Sequence, residues 1–139
     1  MFAPMKKPFL FILLLAGLGF LTGCGDDSRL VPAEDAQDAG REFIRASLDG
    51  NMRKAEFYLL KDSTNLMLFE QWKTSFYNKL STEERVAFKN ANILPVKIET
   101  ENDSTVYYSF SNTYKNKDTT TVKIVRVNGI WQIDFKELY

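Results

Sequence analysis

The sequence predicts an α+β domain in which N-terminal helices cover one face of a four-stranded antiparallel sheet. Three observations predict it. Apolar residues recur at three- and four-residue steps between Pro32 and Asn90, and at Ile93 the period changes to two. Helix-end signals fall in the first part, at Asp49-Gly50-Asn51 and at Ser81-Thr82-Glu83-Glu84. A two-residue hairpin signal, Asn128-Gly129, falls in the second, because both positions tolerate positive φ.

The first helix is expected over Pro32–Leu48. Pro32 suits a first-turn position, and Glu34, Asp35 and Asp38 load its positive end. Ala36, Ala39, Phe43, Ala46 and Leu48 form its apolar stripe, and Gly50 supplies the left-handed cap. Asn51 caps a second helix, Met52–Leu60, with Ala55, Tyr58 and Leu59 inward. A third runs from Thr64 to Leu80 with Leu66, Phe69, Trp72, Phe76 and Leu80 on one face. The pair Ser81 and Glu84 is a capping box opening a short helix to Asn90.

In the second part Val96, Ile98 and Thr100 alternate with Lys97, Glu99 and Glu101. Asn102-Asp103-Ser104 matches the N-glycosylation pattern but reads as a turn. Val106, Tyr108 and Phe110 are expected inward on the next strand. A polar loop, Lys115 to Asp118, precedes a third strand over Thr119–Val127. The last strand carries Trp131, Ile133 and Phe135 on one face and Gln132 and Asp134 on the other. The helices are the only elements able to cover the apolar face of this sheet.

Before the domain stands a charged-then-apolar leader. Lys6 and Lys7 form a positive start, Phe9 to Leu21 is an uncharged, mostly apolar run, and Leu21-Thr22-Gly23-Cys24 closes it. The run is short of the ~20 residues a spanning helix needs, and no Ala-x-Ala-like site of a plain secreted leader follows it. It resembles the bacterial lipoprotein leader, whose pattern is Leu, a small residue, Gly or Ala, then Cys. The resemblance implies a signal peptide at residues 1–23, cleavage behind Gly23, and lipid on Cys24. The partner it implies is the membrane, and the place is the cell envelope, with the outer membrane as the expected one. Two or more acyl chains hold stably where one holds reversibly, at about 0.8 kcal/mol per buried methylene. Residues 24–31 then form the lipidated cysteine and a polar tether of roughly 25 Å at most. Asp26-Asp27 reads either as a solvated linker or as a surface-export signal, because acidic residues just after the cysteine resemble that of lipoproteins in the Bacteroidetes.

Composition narrows the chemistry. The chain has 139 residues, with 18 basic and 18 acidic side chains, no histidine and one cysteine. A balanced charge argues against a nucleic-acid partner. The lack of histidine removes Ser-His-Asp catalysis, His-ligated zinc and an imidazole switch. With Cys24 carrying lipid, no thiol is left for a disulfide, a metal or a nucleophile, and no cofactor is expected.

The helix ending in Asp49-Gly50-Asn51 with Lys54-Ala55, together with the closing hairpin Val127 to Ile133, resembles the nuclear transport factor 2-like superfamily, and in particular its small bacterial lipoproteins of unknown function. What the resemblance implies over residues 32–139 is a curved sheet wrapped around helices, a cone with an apolar cavity. The superfamily includes ketosteroid isomerase and dehydratases as well as members without known activity. An isomerase-like site needs an acid inside the cone and a phenol or second acid beside it. Tyr108 is the candidate phenol, but Asp134, Glu99 and Glu101 fall outward in this register, and the histidine of the dehydrating members has no counterpart.

Phe43, Tyr58, Trp72, Phe76, Tyr108, Phe110, Trp131 and Phe135 are the candidate cavity-lining rings. Rings at helix and strand spacing pack as core, or they line a pocket for an apolar ligand. The functional expectation is a non-enzymatic, membrane-anchored module that binds a small apolar ligand or an envelope protein. Two alternatives stand beside it: an isomerase- or dehydratase-like enzyme with a degenerate site, and a structural subunit forming a homodimer through the outer sheet face. That face, with Tyr107, Ser109, Ser111, Gln132 and Asp134, is polar enough not to require a partner.

Overall fold

A computed structural model describes residues 29–138. The expected leader over residues 1–23, the expected lipidation site Cys24, the pair Asp26-Asp27 and the terminal Tyr139 lie outside the described residues. The fold is α+β: four helices, then four antiparallel strands in the order β1-β2-β3-β4. The sheet is open.

Helix α1 (Ala36–Asp49) begins four residues later than expected. Asp35 takes the cap, its carboxylate accepting from the Asp38 N–H at 2.8 Å, so Pro32 lies in the incoming arm. The helix ends where the sequence places the stop, with Gly50 at φ 76°. Its buried face is Ala36, Ala39, Gly40, Phe43, Ile44 and Ala46. Leu48 packs half-buried at the margin. Helix α2 (Met52–Phe57) is capped by the Asn51 side chain on the Lys54 N–H, 3.1 Å. The chain then leaves helical geometry and runs beside the last strand.

Helix α3 (Ser63–Ser75) is shorter than its apolar pattern, and a single 3₁₀ turn (Tyr77–Lys79) follows. Its buried face runs through Asn65 and Phe69, while Leu66 and Phe76 are exposed. The expected Leu66–Phe76 stripe is thus rotated by one residue at its start, because Asn65 has polar partners from the sheet. Helix α4 (Thr82–Asn90) opens with both bonds of the capping box: Glu84 N–H to Ser81 Oγ, 3.1 Å, and Ser81 N–H to Glu84 Oε2, 2.8 Å. Its far end is closed from a distance by Arg45 of α1. That guanidinium donates to the carbonyls of Ala91 (2.6 Å), Lys89 (2.9 Å) and Phe88 (3.3 Å), where the helix dipole favours a cation.

The strands are β1 (Ile93–Asn102), β2 (Thr105–Asn112), β3 (Thr120–Val127) and β4 (Ile130–Asp134). Asn102 accepts from the Ser104 N–H at the first turn, 2.8 Å, and Asn128 and Gly129 take φ 51° and 79° at the last. The inward face carries Val106, Tyr108, Val122, Ile124 and Ile133, all buried. Helix α1 lies against it, and Gly40 permits the approach: a Cβ there would stand 2.9 Å from Ile124 Cδ1. Strand β1 departs from expectation. It has a bulge between Pro95 and Lys97, and from Leu94 onward every residue is exposed. Ile98 and Thr100 pair with Tyr108 and Val106 on the inward face, as the alternation predicts, but with only the start of α1, Ala36 and Gln37, beside them they stay exposed. On the outer face Ser111 and Asp134 are buried rather than solvated.

The end of the incoming arm is tied to the domain. Tyr58 Oη–H donates to the Val31 carbonyl at 2.7 Å, which fixes the arm onto α1 and α2 before the first helix begins.

Candidate functional site

Beneath the C-terminal half of α1 the helices and sheet do not close completely. The gap is a cavity of about 250 Å³, roughly eight water volumes. Phe43, Ile44, Ser47 and Leu48 of α1 form one wall; Trp72, Phe76, Tyr77 and Leu80 a second; Phe88 of α4 the rim. Phe110, Asn112, Thr120 and Val122 form the floor, and Phe135 and Leu138 close it from the C-terminus.

The walls are held by a continuous relay of rings. Phe43 lies 6.1 Å from Phe69 and 6.3 Å from Phe135, and Phe69 meets Phe135 edge-on at 5.7 Å. Phe69 stacks on Trp72, Trp72 leads to Phe76, Phe76 to Phe88, and Phe88 to Tyr114 at 5.0 Å. Edge-to-face and offset pairs of this kind stabilise by ~0.5–1.5 kcal/mol beyond burial. Part-way along the relay Phe76 stands half in solvent, 42% exposed.

Among the described residues no Asp, Glu, Lys or Arg lines this cavity. The lining residues with polar side-chain groups are Ser47, Trp72 through its indole N–H, Tyr77, Asn112 and Thr120. Ser47 spends its proton on the Phe43 carbonyl, 2.8 Å, and Asn112 Oδ1 accepts from the Tyr114 and Lys115 N–H groups. Such a site can enclose an uncharged apolar molecule and offer one or two hydrogen bonds. Any charge that developed there would meet neutral donors and no charged side chain among the described residues.

Of the eight candidate rings, the structure brings Phe43, Trp72, Phe76, Phe110 and Phe135 together on the cavity wall. The other three are placed elsewhere. Tyr108 is buried between Gly40 of α1 and the Phe110 ring, and burial raises its phenol above the ordinary tyrosine value. Tyr58 holds the N-terminal arm, and burial, then Glu42, raise its pKa too. Trp131 sits at the opposite end of the sheet, under the Arg126 guanidinium. Sequence reasoning missed Ile44, Tyr77 and Phe88, and it had Leu80 on the apolar face of the third helix but not among the cavity candidates. Phe88 carried a usable signal as the only ring in α4. Tyr77 opens the 3₁₀ turn that the helical reading smoothed over, and Leu80 follows it in extended geometry.

A second polar cluster joins α3 to the C-terminus. Asn65 is fully buried. Its Nδ2 donates to Asp62 Oδ2 (3.2 Å) and Asp134 Oδ1 (3.3 Å), and its Oδ1 accepts from the Lys136 N–H at 3.0 Å. Lys136 Nζ donates to Asp62 at 2.8 Å, lowering the Asp62 carboxyl and raising the Lys136 ammonium from their ordinary values. The cluster is fully partnered and lies outside the cavity, which fits a structural clasp.

Comparison with protein-family models, with curated proteins and with solved structures finds no match to this chain. Among the described residues no group of three His, Cys, Asp or Glu is placed to hold a metal, and no helix is long and apolar enough to cross a membrane.

Proposed function

We propose that the chain is a lipid-anchored envelope lipoprotein whose domain, of nuclear transport factor 2-like type, binds a small uncharged apolar ligand in the ring-lined cavity. The observation that carries this reading is the uncharged apolar wall around about 250 Å³ of space, in a chain without histidine. A ligand burying one ring's worth of apolar surface, about 150 Å², gains ~4 kcal/mol at 25 cal/mol per Å². The freedom lost on binding offsets part of this gain, so such a ligand is expected to bind no tighter than about millimolar, and each further buried methylene adds ~0.8 kcal/mol. The lipid anchor rests on the leader and Cys24, and the cone on the hairpin and cap pattern.

The test is native mass spectrometry of the full protein released in detergent from its own host. The expected result is a chain beginning at Cys24 with covalent acyl mass and a co-purifying small neutral molecule. A non-acylated chain overturns the anchor. An empty cavity that also fails to take up an apolar fluorophore overturns the ligand.

A further inference from the structure

The two edges of the sheet are treated differently. At β4 the segment Tyr58–Leu60 runs alongside: the Leu60 N–H donates to the Ile133 carbonyl and the Ile133 N–H to the Tyr58 carbonyl, both at 2.8 Å. That edge is closed by the chain itself. At the other edge nothing among the described residues pairs with the far side of β1. This ten-residue strand exposes Leu94 (37%), Val96 (58%) and Ile98 (45%) along with its outward backbone groups. An open strand of this kind is a template for another strand.

We infer that β1 is a self-pairing edge, joining two copies of the chain antiparallel about a two-fold axis at Ile98. The charge pattern selects the occupant and the register. Lys97 and Glu99 flank Ile98 on the outer face and already lie 2.6 Å apart within one strand. Antiparallel pairing centred on Ile98 sets Lys97 opposite Glu99 of the second copy, twice by symmetry, and packs Ile98 on Ile98. Centring on Glu99 instead opposes two carboxylates and leaves Lys97 to meet Glu101, which stands in the irregularity between Thr100 and Asn102, and in-register parallel pairing opposes like charges throughout. Pro95, which lacks an N–H, and the bulge at Val96 end the ladder on one side, and the irregularity between Thr100 and Asn102 ends it on the other. The usable stretch is therefore short and centred where the charges match.

The experiment uses the full chain in detergent micelles. Ile98→Cys under mild oxidation is expected to give a disulfide-linked dimer, because directly opposed residues of an antiparallel pair come within bridging distance. The wild-type chain, with Cys24 as its only cysteine, gives the baseline. Added to Ile98→Cys, Lys97→Glu or Glu99→Lys alone is expected to lower dimer formation about tenfold, since each turns two attractive pairs repulsive. Mixing those two variants, or combining both changes in one chain, is expected to restore it. All three sites are exposed, so the restored double variant also controls for folding. Cross-linking no faster than baseline, indifference to the charge reversals, or preferential cross-linking through Tyr107→Cys on the outer face overturns the inference.

Discussion

Asn65→Ala tests whether the clasp between α3 and the C-terminus holds the fold. The alanine keeps the helix and its Asp62 cap, because the capping bond is made by the Asn65 backbone N–H at 2.7 Å. What disappears is three side-chain bonds, two of them to carboxylates. The Lys136 N–H loses its acceptor, and Asp134, only 8% exposed, keeps a single cation at 3.8 Å. One neutral bond at ~1 kcal/mol and two charge-assisted bonds at ~1.5 kcal/mol each add to about 4 kcal/mol. Against a total stability of ~5–15 kcal/mol this is a large fraction. At ~4 °C per kcal/mol the midpoint of thermal unfolding falls by about 16 °C.

The assay is thermal unfolding followed by far-ultraviolet circular dichroism, with Asn65→Asp as companion. The aspartate puts a third carboxylate between Asp62 and Asp134 and removes two donors, so it is expected to lose more than alanine at pH 7 and to recover part of the difference at pH 5. A loss under about 1 kcal/mol for Asn65→Ala, or an Asn65→Asp variant as stable as wild type at pH 7, refutes the clasp.

Gly50→Ala and Gly129→Ala form a pair: both glycines have positive φ, costing an alanine ~1–2 kcal/mol, but only at Gly50 does the new Cβ collide with the Tyr77 hydroxyl. Urea unfolding is expected to show the larger loss at Gly50, and equal losses would mean that Tyr77 moves freely. Tyr58→Phe removes the bond to Val31 for a global cost of ~0.5–1.5 kcal/mol, and trypsin is expected to cut behind Arg29 several-fold faster. The Asp62–Lys136 pair sets a pH dependence at both ends. Asp62, held below the ordinary carboxyl value, contributes above its unfolded pKa and loses that contribution as pH falls through its folded one. Lys136, held above the ordinary ammonium value, contributes below its unfolded pKa and loses it as pH rises through its folded one. Lys136→Met is expected to flatten both limbs of stability against pH, read by chemical denaturation at pH 3 to 11.

Features decided within four residues were legible in the sequence. Gly50, Asn51, the Ser81–Glu84 box and Asn128-Gly129 all do what their local chemistry requires, since each turn or cap is satisfied by its neighbours. What was not legible depends on partners far along the chain. Arg45 reads as a solvent-facing helical cation, yet it closes α4 more than 40 residues away. Asn65 reads as a first-turn polar residue, and its burial follows from Asp134 and Lys136, about 70 residues on. The alternation in β1 gives the right face for Ile98 but not its exposure, which depends on how far α1 extends over the sheet. The same limit applies to the rings. Spacing identifies them as inward, but which end of the sheet they occupy separates Trp131 from Phe110.

The position of the cavity follows from the sizes of side chains along α1. In its first half the buried positions are Ala36, Ala39 and Gly40, so the helix axis lies close to the sheet. In its second half they are Phe43, Ile44 and Ala46, and the two large side chains stand on the cavity wall, where the ring relay does not fill the space. Gly40→Ala tests this directly. Helix propensity alone predicts a gain of ~0.8–1.0 kcal/mol. The added methyl meets Ile124 Cδ1 at 2.9 Å and Tyr108 Cδ1 at 3.4 Å, and overpacking of this kind costs ~1–3 kcal/mol. The net expectation is a loss of up to ~2 kcal/mol, and Gly40→Val is expected to lose more. If Gly40→Ala instead stabilises by the full propensity gain, α1 does not press on the sheet at that point, and the cavity needs another cause. If stability falls while uptake of an apolar fluorophore rises, the helix has lifted, and the small residues of its first half are what limit the space beneath its second.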